Sequence, residues 1–286
     1  MGSKLEDFVF NKKPTTKKSV IIKSLVSIAI ITVVLVVVVI TILSQLGSAI
    51  STEEFNEVKS LLQKEYNKSN VVSFEIGAID ENNLKTKLES NFVSFGSLYD
   101  ENNKLNTNVL FGSARVKESV EFDKKDLTIL ANACLTHELE LDDFENVFSF
   151  LNVANLEVQT NNNLTNIRLC IKVFAQKLLK SGAYDFGLIS NNDLVDEVYV
   201  TCLFTVDNTK PLRNCVTSSS LVVNNLSTED NTKVLEYFAK FYDKDADITE
   251  IQKIPANYFM ETLSKIMENW NAGGSFKTSS IEFYAK

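Results

Sequence analysis

Histidine occurs once in these 286 residues, at His137, glycine only nine times and proline only three times. One histidine excludes the multi-histidine zinc centres, and the four cysteines stand at spacings that fit no zinc pattern. The shortage of glycine removes loops that cradle phosphates. Neither the phosphate-loop motif nor G-x-G-x-x-G is present, and the hydrolase elbow G-x-S-x-G is missing as well. No catalytic motif is found, so the expectation is a non-catalytic protein without a cofactor. Positive charge is also short: 29 Lys and Arg stand against 37 Asp and Glu, a net charge of −8. That balance argues against nucleic-acid partners, whose phosphates are held by Lys and Arg. Scarce proline beside abundant asparagine reads as coding bias, not chemistry.

Charge is missing altogether from Leu25 to Ile50, "LVSIAIITVVLVVVVITILSQLGSAI". A bilayer core of about 30 Å needs about 20 apolar residues in a helix. Leu25 to Leu43 alone meets that length. A cleavable signal has a shorter apolar core, of about 7–15 residues, so the run reads as a retained anchor even though Gly47-Ser48-Ala49 resembles a cut site. Six lysines precede it (Lys4, Lys12, Lys13, Lys17, Lys18 and Lys23) against Glu6 and Asp7, a net of +4, which leaves −12 for the remainder. Positive flanks stay cytoplasmic. The expected organisation is a basic cytoplasmic tail over 1–23, a transmembrane helix over 24–46, a stalk helix over 51–68 and an extracytoplasmic domain over 69–286. The membrane is the one partner this reading names, crossed once, with the C-terminal domain extracellular or lumenal.

Periodicity divides the exterior part. Ser51-Thr52-Glu53-Glu54 is a capping box, and Phe55, Val58, Leu61, Leu62 and Tyr66 share a helical face. Val71 to Ile79 reads as a strand. "DENN" at Asp80–Asn83 recurs at Asp100–Asn103, and both copies read as turns between strands, over Leu88–Phe95 and Val109–Phe122. Asp123 caps a helix whose Leu127, Leu130, Ala131 and Cys134 form an apolar stripe, and a short helix follows over 142–150. The period-two alternation around "TNNNLTN", with Ile167, Leu169, Ile171 and Val173 on one side, marks a hairpin. A second long pair runs from Val198 to Val206 and from Leu212 to Val223. Helices follow from Ser227 and from Asn257 to Asn271, the latter ended by Gly273-Gly274, and Phe276 to Tyr284 closes the chain as a strand. The fold class expected is α+β: one N-terminal transmembrane helix, then an antiparallel curved sheet with several amphipathic helices.

Few constellations carry chemistry. Cys202 and Cys215 are symmetric about Asn208-Thr209, so a turn there would set them opposite each other and permit a disulfide. An exterior location favours oxidation and burial as core thiols opposes it, so bridged and free forms both stay open. A bond between Cys134 and Cys170 is the other pairing, with Cys170 expected on the wet side of its strand. "HELELDDFE", from His137 to Glu145, sets the single histidine among carboxylates and reads as a solvated helix connection. Asp243, Asp245 and Asp247 open like a calcium loop. However, Ile248 stands where the sharp turn needs glycine and Ile254 where a bidentate Glu is needed. Asn67-Lys68-Ser69, Asn163-Leu164-Thr165 and Asn225-Leu226-Ser227 fit the glycosylation pattern, as chance provides in an Asn-rich chain.

The segments "VEFDKKDLTILANACL", "LEVQTNNNLTNIRLCIKVFAQKLL" and "LVVNNLSTEDNTKVLEYF" resemble a pattern of membrane-anchored extracytoplasmic proteins of low-GC Gram-positive bacteria. Some of those are similar to the tubular lipid-binding (TULIP-like) superfamily. In that pattern a strand leads into a helix of the type "FTxxELNxLL", long curved hairpins follow, and an "INxL" strand end precedes another helix. The resemblance covers about half of the exterior domain. Where the pattern has its helical Asn, this chain has Ile129 or Ala131, and no ligand residue carries over. The resemblance implies a lipid- or envelope-binding role, with a trough between a bent sheet and its helices. The alternative is a structural or interaction subunit of a membrane or cell-surface complex, with a solid core and an exposed apolar patch.

Overall fold

The computed structural model describes residues 52–64, 66–70, 81–140, 151–174, 197–242 and 248–286. The expected tail and span, the strand at 71–79, the helix at 142–150 and Asp243, Asp245 and Asp247 lie outside the described residues. Among the described residues no helix is long and apolar enough to cross a membrane. The architecture is α+β with antiparallel sheets and several helices.

Helix α1 (Thr52–Leu62) carries Glu53 and Glu54 in its first turn and Lys59 in its last, the charge order a helix dipole favours. Val58 and Leu61 are buried, but Tyr66 lies past the helix end, so the stalk is shorter than expected. The two DENN copies then diverge. The first enters helix α2 (Glu81–Asn91), where a turn and a strand were expected, because Leu84 and Leu88 one turn apart are both fully buried. Only Phe92–Val93 is extended, as β1. The second copy is a turn. Asp100 Oδ1 accepts the N–H groups of Asn102 and Lys104, each at 2.8 Å, and Asn103 has φ 64°.

The expected strand from Val109 to Phe122 is instead three elements. Helix α3 (Thr107–Gly112) is capped by Asn106, whose Oδ1 accepts the Val109 N–H, and strands β2 (Arg115–Val116) and β3 (Ser119–Asp123) follow. Asp123 does cap α4 (Lys124–Glu140), accepting the N–H groups of Lys125 at 2.9 Å and Asp126 at 3.0 Å. The Asp126 carboxylate returns to the Asp123 N–H, completing a reciprocal cap.

Four long strands form an antiparallel meander in sequence order: β4 (Leu151–Asn161), β5 (Leu164–Val173), β6 (Val198–Asp207) and β7 (Val216–Val223). Alternation sets Ile167, Leu169, Ile171 and Val173, with Val200, Cys202, Phe204 and Val206, on a buried inner face. Both edge strands are covered by an asparagine from a helix. Asn132 of α4 donates Nδ2 to the Val153 carbonyl and accepts the Val153 N–H, both at 2.8 Å. Asn231 of α5 (Thr228–Tyr242) donates to the Leu221 carbonyl at 2.7 Å and accepts the Val223 N–H at 2.9 Å. Unpaired strand edges invite foreign strands, and each of these side chains occupies one donor and one acceptor of its edge.

Helix α6 (Ile248–Asn269) begins well before the expected Asn257 and runs through Pro255. An interior proline forfeits one helical hydrogen bond, a loss offset here by burial of Ala256, Met260 and Leu263 just beyond it. The left-handed residue ending the helix is Asn271, with φ 48°, not a glycine. Gly273 and Gly274 belong to β8 (Ala272–Phe276), which turns into β9 (Ser280–Ala285), so the expected single closing strand is a hairpin. Gly273 faces Tyr284 across it. A Cβ at 273 would sit 2.3 Å from the Tyr284 ring, so only glycine admits that cross-strand contact as it stands. The second sheet has the order β3-β9-β8. Trp270 is central to the core, its ring 4.9 Å from Phe92 and 5.0 Å from Phe283, with the indole N–H donating to the Leu110 carbonyl at 2.8 Å.

Candidate functional site

Between the inner face of the meander and helices α4 and α6 lies a cavity of about 90 Å³. Helical spacing builds two of its walls. Leu127, Leu130, Ala131 and Cys134 come from α4, and Phe259, Thr262, Leu263, Ile266 and Trp270 from α6. The floor is Val153 and Leu156 of β4 with Leu169 and Ile171 of β5, and Ile281 and Phe283 of β9 close one end. Ala131, Cys134, Val153 and Thr262 are the shortest side chains in the lining, and their reach leaves the space open. Ala131, Phe259 and Ile266 are only half-buried, which places the way in between the two helices. With about 30 Å³ per water-sized group, a space of about 90 Å³ holds about three such groups. Among the described residues no Asp, Glu, His, Lys or Arg lines it.

Among the described residues Thr262 is the one hydroxyl-bearing residue in this wall, and its Oγ1 is buried without a hydrogen-bond partner. Two other helical threonines behave differently. Thr128 donates to the Lys124 carbonyl at 2.7 Å and Thr232 to the Thr228 carbonyl at 2.8 Å, each four residues back.

The outer face of the meander carries a second constellation. Tyr66 stacks on Tyr199 with ring centroids 4.1 Å apart, and Tyr66 Oη lies 3.5 Å from Cys170 Sγ. Glu197 is clamped by Lys172 Nζ at 2.9 Å, Lys68 Nζ at 3.1 Å and the Tyr199 hydroxyl at 2.8 Å. Burial alone would raise the Glu197 carboxyl, but those three donors outweigh it and hold it down at about 2. Burial and the Glu197 carboxylate push the Tyr199 hydroxyl up, and burial with the neighbouring Cys170 pushes Tyr66 up. A carboxylate held ionised and two phenols held neutral do not trade protons near pH 7. The constellation fixes the segment around Tyr66 to the sheet.

The sequence-stated thiol pairs are not formed, and all four cysteines are free and buried. Cys202 pairs with Leu221, not Cys215, because the β6–β7 connection is no two-residue turn. A short 3-10 turn at Leu212–Asn214 and a bulge at Thr205/Val206 shift the register. Cys215 precedes β7, its Sγ donating to the Leu212 carbonyl at 3.1 Å. Burial pushes the Cys202 thiol up to about 12. Cys134 lines the cavity on the inner side, whereas Cys170 sits on the outer face of β5, so the sheet separates them. Cys170 does point away from the core as expected, but Tyr66 and Tyr199 cover it. His137 falls within α4. Among the described residues no cluster of three potential metal ligands forms.

Sequence reasoning missed Thr262 and Asn132. A hydroxyl on an otherwise apolar helical stripe was the available signal for Thr262. Asn132, next to the positions where the helical Asn was sought, holds β4. Compared with protein families, curated proteins and solved structures, the chain gives no significant match.

Proposed function

We propose that this chain is a single-pass membrane protein, N-terminus cytoplasmic, whose extracytoplasmic domain binds an apolar group of a lipid or envelope component without catalysing a reaction. The uncharged run from Leu25 to Ile50 supports the anchor, and the lysines before it support the orientation. The observation that carries the binding role is the apolar cavity between the meander and α4 and α6, with half-buried residues at its mouth. Its size fits a chain end, not a whole lipid.

The test uses the full-length chain in bilayers containing a fatty acid with a photoreactive diazirine at its terminal carbon. Photolabelling of peptides from 127–134 and 259–270, competed by unlabelled lipid, is expected. Labelling confined to 24–46 would overturn the binding role. The alternative, an interaction subunit, has in its favour the exposed Phe95 and Val93 at the tip of β1. Cross-linking in native membranes that recovers an oligomer lost on Phe95→Ser would favour it.

A further inference from the structure

We propose that the outer face of the meander binds an acidic saccharide, a sugar chain bearing carboxylates, in an open groove beside the Tyr66 segment. The site is separate from the apolar cavity, which lies on the inner face. Strand register builds it. Glu157, Arg168, Leu203 and Ser220 stand opposite one another across the four strands, and Gln159, Asn166, Thr205 and Ser218 form the next row on the same face. Such a patch measures about 14 Å across the strands and about 7 Å along them. These rows line a space of about 570 Å³, and polar atoms stand open to it.

Charge is the first ground for the ligand class. Arg168 is half-buried, its Nε is enclosed without a partner, and its Nη2 reaches only the Tyr66 hydroxyl, at 3.5 Å. Its cross-strand neighbour Glu157 pairs instead with Lys124, at 3.5 Å. Among the described residues the guanidinium therefore has no carboxylate partner. A cation drawn partly out of water is costly to leave unpaired, and the planar fork of Arg matches a carboxylate. One guanidinium with Glu157 beside it suits a singly charged guest and disfavours the dianion of a phosphate monoester. Hydrogen-bonding chemistry is the second ground. Gln159, Asn166, Ser218 and Ser220 can each donate and accept, as the hydroxyls of a sugar require. Thr205 Oγ1 donates to Asn166 Oδ1 at 2.8 Å, which fixes that amide and leaves its donors for a guest. Leu203 is the third. It is exposed between Arg168 and Ser220 and offers a dry contact to the C–H face of a sugar ring, but too little apolar area to hold a lipid tail. Because the space is open and not enclosed, a longer chain can extend past it.

The test titrates the full chain in phosphatidylcholine nanodiscs with methyl β-D-glucopyranosiduronic acid and with methyl β-D-glucopyranoside. The two probes differ only in the carboxylate that replaces the hydroxymethyl group. Binding is read from backbone N–H resonances of residues 166–168, 203–205 and 218–220, which line the groove. At low salt the uronate should bind about 10-fold more tightly than the glucoside, and added salt should narrow that margin. Arg168→Gln should abolish the preference. Tyr66→Phe removes the phenol that Arg168 touches and should leave the preference intact, which separates loss of the cation from loosening of the Tyr66 segment. Ser218→Phe, at an exposed position, should fill the groove and weaken both probes alike. Equal affinity for the two probes, or a preference that survives Arg168→Gln, overturns the inference. Absence of any shift at these residues with either probe overturns it as well, and the cavity reading is untouched by either result.

Discussion

Thr128 and Thr262 are both buried on helices facing the meander, yet their hydroxyls are used oppositely. Thr128 Oγ1 donates within α4 and accepts the Leu156 N–H at 2.9 Å, so it satisfies a donor on the open edge of β4. Thr128→Val strands that N–H in an apolar setting and is expected to destabilise by about 1–3 kcal/mol. Thr262→Val removes a hydroxyl with no partner, so its effect on the unliganded protein should have the opposite sign, a gain of about 1 kcal/mol. Urea unfolding of both variants at constant m-value checks the pair. Equal losses in the two would show that the Thr262 hydroxyl is bonded in solution. From sequence, these two threonines were indistinguishable: each sits on an amphipathic stripe, and only packing decides what lies opposite.

At the scale of elements, a helix meets each edge of the meander with an asparagine. Asn132 and Asn231 each present an amide that mimics a neighbouring strand, one donor and one acceptor to the same edge. Asn231→Ala leaves the Val223 N–H and the Leu221 carbonyl unpartnered and should cost about 2–4 kcal/mol. Asn231→Asp should not rescue it, since a carboxylate accepts from Val223 but repels the Leu221 carbonyl. Thermal unfolding of the two variants is the measurement, and a fully stable Asn231→Asp would refute the edge role. The four strands of the meander and the helices α4, α5 and α6 were legible because period-two and period-3.6 patterns survive in the sequence. The failures were local. Glu81–Asn83 of the first DENN open a helix that buries Leu84 and Leu88, whereas the second DENN is a turn held by the Asp100 side chain. The Cys202–Cys215 symmetry failed because a bulge and a 3-10 turn, invisible to periodicity, moved the register.

At the scale of the whole molecule, one buried core joins the two sheets through Trp270, while the Glu197 cluster ties a segment from the N-terminal side to the meander. Glu197 has a folded-state pKa depressed from 4.5 to about 2. Its contribution to stability is therefore fully present above about 4.5 and is lost as pH falls toward about 2. Glu197→Gln should be less stable than wild type at pH 6–7, with the difference shrinking over that acid interval. The clamp is partly open to solvent, so added salt should weaken it. Unfolding midpoints from pH 7 to pH 2 check this, and a gap independent of pH would rule out the ionised clamp.

The sequence by itself determined the α+β class, the long antiparallel pairs and the cap at Asp123. Each of these rests on composition or on contacts between near neighbours in the chain, where a residue's chemistry acts at short range. Tertiary structure alone decided where the strand register falls, that the four thiols stay apart, and that α4 and α6 stand off from the meander far enough to leave a cavity. These depend on distances between segments remote in sequence, set by how side chains of particular volume fill the space between elements. Four short side chains, Ala131, Cys134, Val153 and Thr262, leave that space incompletely filled.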